Sequence, residues 1–253
     1  MKLEQRALRF HSGGVGLIGI VDVPERPLVR GMLVLPDSTQ YRAGSHRQFT
    51  LLSRVLAGRG IAVMRFDRRG CGDSEGDGAG ATAGEDIAAA MKEFFIHVPE
   101  MKEYVILAPG DAALLAAQYA AGDPRATGLA LLDPVLPPQA PSEPGGSEPP
   151  RRGARSVAER LFRRATFRPD PARVDPAPGT PAPAIGGFGG RVLLVAAGSA
   201  AGGAADNVPG HNCALEHQGP RSRRVEIAGC ANAGGNAWRE AVAFACASWL
   251  TSW

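Results

Sequence analysis

Four short apolar runs recur along the first half of the chain: "GMLVLP" (31–36), "IAVMRF" (61–66), "YVILA" (104–108) and "ATGLALLD" (126–133). A run of this length with no polar alternation suits a strand buried on both faces. Between the runs lie stretches with helical spacing. "HRQFTLLSRVLAGRG" puts Phe49, Leu52, Val55 and Leu56 on one side, with Ser45 as its expected N-cap and Gly60 as its stop. "EDIAAAMKEFFIHV" follows from Glu85, and "DAALLAAQYA" follows the third run. Strands alternating with helices at this rhythm predict an α/β fold, a mostly parallel sheet flanked by helices. "ALRF" and "VGLIGIVDV", joined at Ser12-Gly13-Gly14, predict an antiparallel pair before it.

The rhythm stops at Pro134. Thirteen of the 21 prolines fall between Pro134 and Pro183, in strings such as "LPPQAPSEPGGSEPP". Such sequence forms neither ladders nor long helices. One helical island, "RSVAERLFRRATF", keeps Val157, Leu161 and Phe162 on one face. Strands resume at "RVLLVAA" (191–197) and "RRVEIAG" (223–229), and a last helix repeats Trp238, Val242, Ala245 and Trp249. The expected organisation is one core made of 1–133 and 190–253. Residues 134–189 are a Pro/Gly/Arg-rich insertion between the sixth and seventh strands, partly disordered.

The formal net charge is +3, so composition makes no case for nucleic-acid binding. No apolar run approaches the roughly 20 residues of a membrane span. "MKLEQRALRF" has no signal-peptide core, which leads us to expect a cytoplasmic protein. The four cysteines, Cys71, Cys213, Cys230 and Cys246, show no C-x-x-C spacing and are expected as reduced thiols. No cofactor and no metal are expected.

The stretch "YVILAPGDAALLAAQY" (104–119) joins an apolar run, a tight turn and an alanine-rich helix without a gap. That is the local plan of a nucleophile elbow, in which a strained strand-to-helix turn displays a catalytic Ser or Cys. Two further motifs accompany it. "RFDRRGCGDSEG" (65–76) resembles the D-x-R-G-x-G-x-S loop of many α/β-hydrolases, with Asp67 and Arg69 expected to tie it down. "QYRAGSHRQF" (40–49) is similar to the segment after the preceding strand in the exosortase A system-associated hydrolases of type 1. With the elbow helix and the terminal "AWREAV…SWL", the resemblance covers most of the chain outside 134–190.

The resemblance implies an α/β-hydrolase fold, a degraded cap in the insertion and a nucleophile–acid–His triad. It also implies a link to bacterial exopolysaccharide production and protein sorting. The family's elbow has the form G-x-C-D-A; the aligned residues here are Ala108, Pro109, Gly110, Asp111 and Ala112. The nucleophile's place is taken by Gly110. The acid of the family's G-N-D turn falls on Ala200, and the His of its A-D-H-T turn on Asn232. All three triad positions are vacated. Glycine at the tip fits the elbow, since a non-glycine residue there bears roughly 1–3 kcal/mol of backbone strain that only chemistry repays. "PDST" (36–39) adds Pro36, which has no N–H, and the charge of Asp37 beside the place where an oxyanion would form. The expected function is a catalytically inactive hydrolase. Its old pocket, around Asp37, Ser38, Gly110 and Asp111, would take a small acyl-type ligand or a protein partner.

The alternative is an active hydrolase of an ester or thioester with a non-standard nucleophile. Cys71 and His46 leave the same sheet edge, so they are either a relocated pair or a loop filler and a loop histidine. His211, Cys213 and His217 in "PGHNCALEH" are a weak metal-ligand set or plain loop residues. Asp133 is a turn former before Pro134. Asp111, Asp73 and Glu75 are expected in helix capping and loop hydrogen bonds. The seven arginines between Arg151 and Arg168 either rest weakly on an anionic surface or belong to the cap remnant.

Overall fold

In the computed structural model the described residues are 2–77, 83–135, 188–197, 221–227 and 236–253. They form one eight-stranded sheet of order β1-β2-β4-β3-β5-β6-β7-β8. The strands are β1 (Leu3–Ser12), β2 (Val15–Pro24), β3 (Arg30–Val34), β4 (Val63–Phe66), β5 (Glu103–Pro109), β6 (Ala126–Leu132), β7 (Arg191–Ala197) and β8 (Ser222–Ile227). β1 and β2 pair antiparallel, β2 meets β4 antiparallel, and every pairing from β4 to β8 is parallel. The helices are α1 (Gln48–Ala57), α2 (Ala83–His97), α3 (Ala112–Gly122) and α4 (Asn236–Leu250).

The period-two pleat divides each buried strand between two cores. From β5, Tyr104, Ile106 and Ala108 enter the core under α2 and α3, which Phe66, Ile87, Met91 and Phe94 also fill. Val105 and Leu107 enter the opposite core, with Phe49, Leu52 and Leu56 of α1 and Trp238, Val242 and Trp249 of α4. The all-apolar runs are therefore strands covered on both sides, as their composition predicts. On α3 the buried residues are all alanine: Ala112, Ala113, Ala116, Ala117 and Ala120. Small side chains let this helix lie close to β5 and β6, which fixes the direction in which its first turn points.

Gly60 ends α1 as expected. Its φ of +87° is open to glycine, its N–H reaches the Ala57 carbonyl at 3.0 Å, and Ile61 N–H reaches Leu56 at 3.2 Å. The start of α1 differs from the expectation. Ser45 makes no cap; it lies in a short 3₁₀ turn (Ser45–Arg47) and donates its N–H to Oε1 of Gln40. The residue before α1 is Arg47, left-handed at φ 59°. The carbonyl of Ala43 accepts from Phe49 and Thr50 instead, so backbone performs the service expected of a serine. Of the proposed insertion, only 134–135 and 188–189 fall within the described residues; the helical island and its arginines lie outside them.

Candidate functional site

The site forms where β5 hands over to α3. Gly110 stands between them with φ +53°, the left-handed conformation that a strand-to-helix elbow imposes on its tip. The end of β6 and the turn after it hold it: Gly110 N–H donates to the Leu132 carbonyl at 3.0 Å, and its own carbonyl accepts from Val135 N–H at 2.9 Å. A Cβ built on Gly110 would lie 3.6 Å from Oδ2 of Asp37 and 3.7 Å from its Cβ, ordinary contact distances. The turn has the backbone of an elbow and room for a side chain.

The loop after β3 supplies the facing wall. Asp37 accepts from Thr39 N–H (2.9 Å), the Thr39 hydroxyl (2.7 Å) and Nε2 of Gln40 (2.7 Å). Asp111, the residue after the tip, was expected to cap α3. It does not. Its carboxylate accepts the Ser38 N–H at 3.0 Å and the Ser38 hydroxyl. Both carboxylates spend their lone pairs on this loop, which leaves the first turn of α3 without a side-chain cap. Among the described residues neither Asp37 nor Asp111 has an ion-pair partner. An α/β-hydrolase oxyanion hole draws on the N–H after the nucleophile and on one from this loop. Here the Ser38 N–H already points at a carboxylate.

The loop 65–76 is tied down as its sequence suggests, and by more partners than the sequence reveals. Asp67 is fully buried and accepts from Arg42 N–H (2.6 Å), the Arg42 guanidinium and Asp73 N–H (3.0 Å). Arg42 also reaches Asp73 at 2.5 Å. Arg69 clasps the buried Asp86 of α2, with Nη2 at 2.7 Å from Oδ1. Glu75 accepts from Gly16 N–H and Arg9, so Asp73 and Glu75 serve the loop as expected. Arg65 is buried against Asp22 at 3.1 Å and donates to the Arg42 carbonyl and the Thr50 hydroxyl. The segments "QYRAGSHRQF" and "RFDRRGCGDSEG" are thus one bonded unit, with Arg42 at the seam.

Cys71 is half-buried and His46 exposed, and no hydrogen bond joins them among the described residues. Asp133 turns the chain at φ 42°, as expected of a residue before Pro134. Ala200 and Asn232 lie outside the described residues, as do His211, Cys213 and His217. Among the described residues no cluster of three or more His, Cys, Asp or Glu could hold a metal, and no helix is long and apolar enough to cross a membrane. Sequence reasoning missed Arg42, Asp22 and Asp86. Each is an ordinary charged residue whose partner lies 17 to 43 positions away, and only the assembled sheet reveals the pairing.

No protein-family model matches the sequence, and no curated protein does. Solved structures do match. A dienelactone hydrolase from Anabaena variabilis superposes with a TM-score of 0.63 at 14% identity, covering 99% of this chain and 98% of that one. A protein of unknown function from Agrobacterium tumefaciens, described as a putative α/β hydrolase, gives 0.61 at 16% identity over 97% and 94%. An α/β serine hydrolase without a lid from Xanthomonas campestris gives 0.57 at 19% identity over 100% and 98%. Together with the strand order, the parallel pairings and the elbow between β5 and α3, these likenesses establish that the chain has the α/β-hydrolase fold.

Proposed function

We propose that the protein is a catalytically vacated hydrolase that uses the elbow pocket to bind rather than to cleave. The observation that carries this reading is Gly110 at the elbow tip, left-handed and open beside Asp37. Losing the nucleophile of a triad costs on the order of 10⁶ in rate, about 8 kcal/mol of barrier. The nearby donors offer little in exchange. Asp37 places negative charge where an oxyanion would develop, and the Ser38 N–H is engaged by Asp111.

The ligand we infer is a small acyl-type molecule or a segment of a protein partner, seated among Asp37, Ser38, Gly110 and Asp111. The similarity of "QYRAGSHRQF" to the exosortase A system-associated hydrolases supports a place in bacterial exopolysaccharide and protein-sorting loci, with the protein acting in the cytoplasm. In this reading Ala200 and Asn232 complete the vacated triad, and 134–189 is the remnant of a cap.

Covalent labelling tests it. The protein is incubated with a fluorophosphonate and, separately, with iodoacetamide, and the adducts are mapped by mass spectrometry. The expected result is no fluorophosphonate adduct and only slow, unselective alkylation of thiols. Rapid stoichiometric labelling of one Ser or Cys, protected by a substrate ester, would establish an active hydrolase with a relocated nucleophile.

A further inference from the structure

At the far edge of the sheet from β1, β8 pairs with β7 on one side and with no other strand among the described residues. Alternate residues Arg223, Val225 and Ile227 line a groove with Ala241, Phe244 and Ala245 of α4. Phe244 is 67% exposed, more than any other large apolar residue described, although it belongs to an otherwise well-buried helix. Arg223 is exposed at the mouth of the groove. Its side chain makes no hydrogen bond or ion pair among the described residues. The segment 221–227, "RSRRVEI", carries three arginines against one glutamate.

We propose that this edge receives an extended acidic–apolar segment of another protein, added as a ninth strand beside β8. Three features select that occupant. A sheet edge offers a row of backbone donors and acceptors that an extended chain satisfies. The pleat aligns every second residue of a strand added parallel to β8, the sense of its pairing with β7, with Arg223, Val225 and Ile227 in turn, so the matching pattern is one carboxylate followed by two apolar residues at alternate positions. Phe244 then covers the apolar pair. A second copy of this chain is the competing occupant, and sedimentation in the test below distinguishes it. The proposal concerns a different edge from the elbow pocket and stands or falls separately from it.

The test uses the full chain and a fluorescein-labelled peptide with Asp, Val and Val at alternate positions, read by anisotropy. The wild type is expected to bind it at least about tenfold more tightly than the same peptide with Lys for Asp. Arg223→Glu should reverse that preference, and Phe244→Ser should weaken both peptides about tenfold. Methylating alternate peptide amides should abolish binding. Both substituted side chains are exposed, and circular dichroism checks that each variant is folded. Equal binding of the two peptides, or an unchanged preference in Arg223→Glu, would overturn the proposal. So would a wild-type dimer in sedimentation that Phe244→Ser dissolves, since a second copy would then own the face.

Discussion

Arg42 and Asp67 meet by two routes, with the backbone N–H of Arg42 on Oδ1 and its guanidinium on Oδ2. This contact joins the loop after β3, which faces Gly110 through Asp37, to the loop after β4. Asp67 is fully buried, so its charge depends on Arg42 and the Asp73 N–H for compensation. Removing one partner of such a pair strands the other. Asp67→Ala should cost about 3 kcal/mol, measured by urea unfolding. A loss within the scatter of surface substitutions would show that the two loops are held by something else.

Two glycines with nearly equal φ should differ in what a side chain costs. At Gly110 a new Cβ meets only ordinary contacts, so Gly110→Ser should cost the backbone strain alone, about 1–3 kcal/mol. At Gly72, φ +54°, the new Cβ would collide with Oδ2 of Asp67. Gly72→Ala should break the Asp67 latch and be the more damaging of the two in thermal unfolding. The reverse order would show that contact with Asp67 does not set the cost at Gly72.

Tyr104 lies buried and donates its hydroxyl to Asp123 at 2.9 Å. Burial, reinforced by Tyr119 and the Asp123 charge, raises its ionisation well above the usual phenol range. In the unfolded chain the phenol ionises near pH 10, while the folded protein keeps it neutral. The stability it confers is therefore complete below about pH 10 and falls as pH rises further. Tyr104→Phe should lower stability at neutral pH by the lost hydrogen bond and flatten the decline above about pH 10.

Asp123 has the opposite sign. Hydrogen bonds from the Arg125 guanidinium lower its ionisation below the ordinary aspartate value. Its contribution is present above about pH 4 and is lost as pH falls through the folded-state value. Asp123→Asn should shallow the acid limb of a stability–pH curve and leave its shape between neutral pH and about pH 9 unchanged. Guanidine midpoints across pH would register either outcome.

The sheet was legible because buried parallel strands must be apolar throughout, and "YVILA" and "GMLVLP" have no other economical home. The turn from β5 to α3 was legible for a related reason: Gly110-Asp111, between an apolar run and an alanine-rich helical stretch, is where the chain must change direction. What escaped was where polar side chains turn once the sheet forms. Ser45 and Asp111 both have the chemistry of N-caps, yet the loop after β3 needs their neighbourhood for other bonds. Asp111 is drawn to Ser38 across 73 positions of sequence, and Ala43 supplies the start of α1 with a carbonyl. Arg65 and Asp22 sit in stretches that read as ordinary strand, and only the β2–β4 pairing brings them together.

The most direct test of the proposal that the elbow is vacated is turnover of short-chain p-nitrophenyl esters by the purified wild type, with Cys71→Ala and Gly110→Ala measured beside it. Without a nucleophile at the tip, all three should hydrolyse the ester at one indistinguishable rate close to the buffer background. A wild-type rate orders of magnitude above background, abolished by changing a single Cys or Ser, would contradict the account at its root.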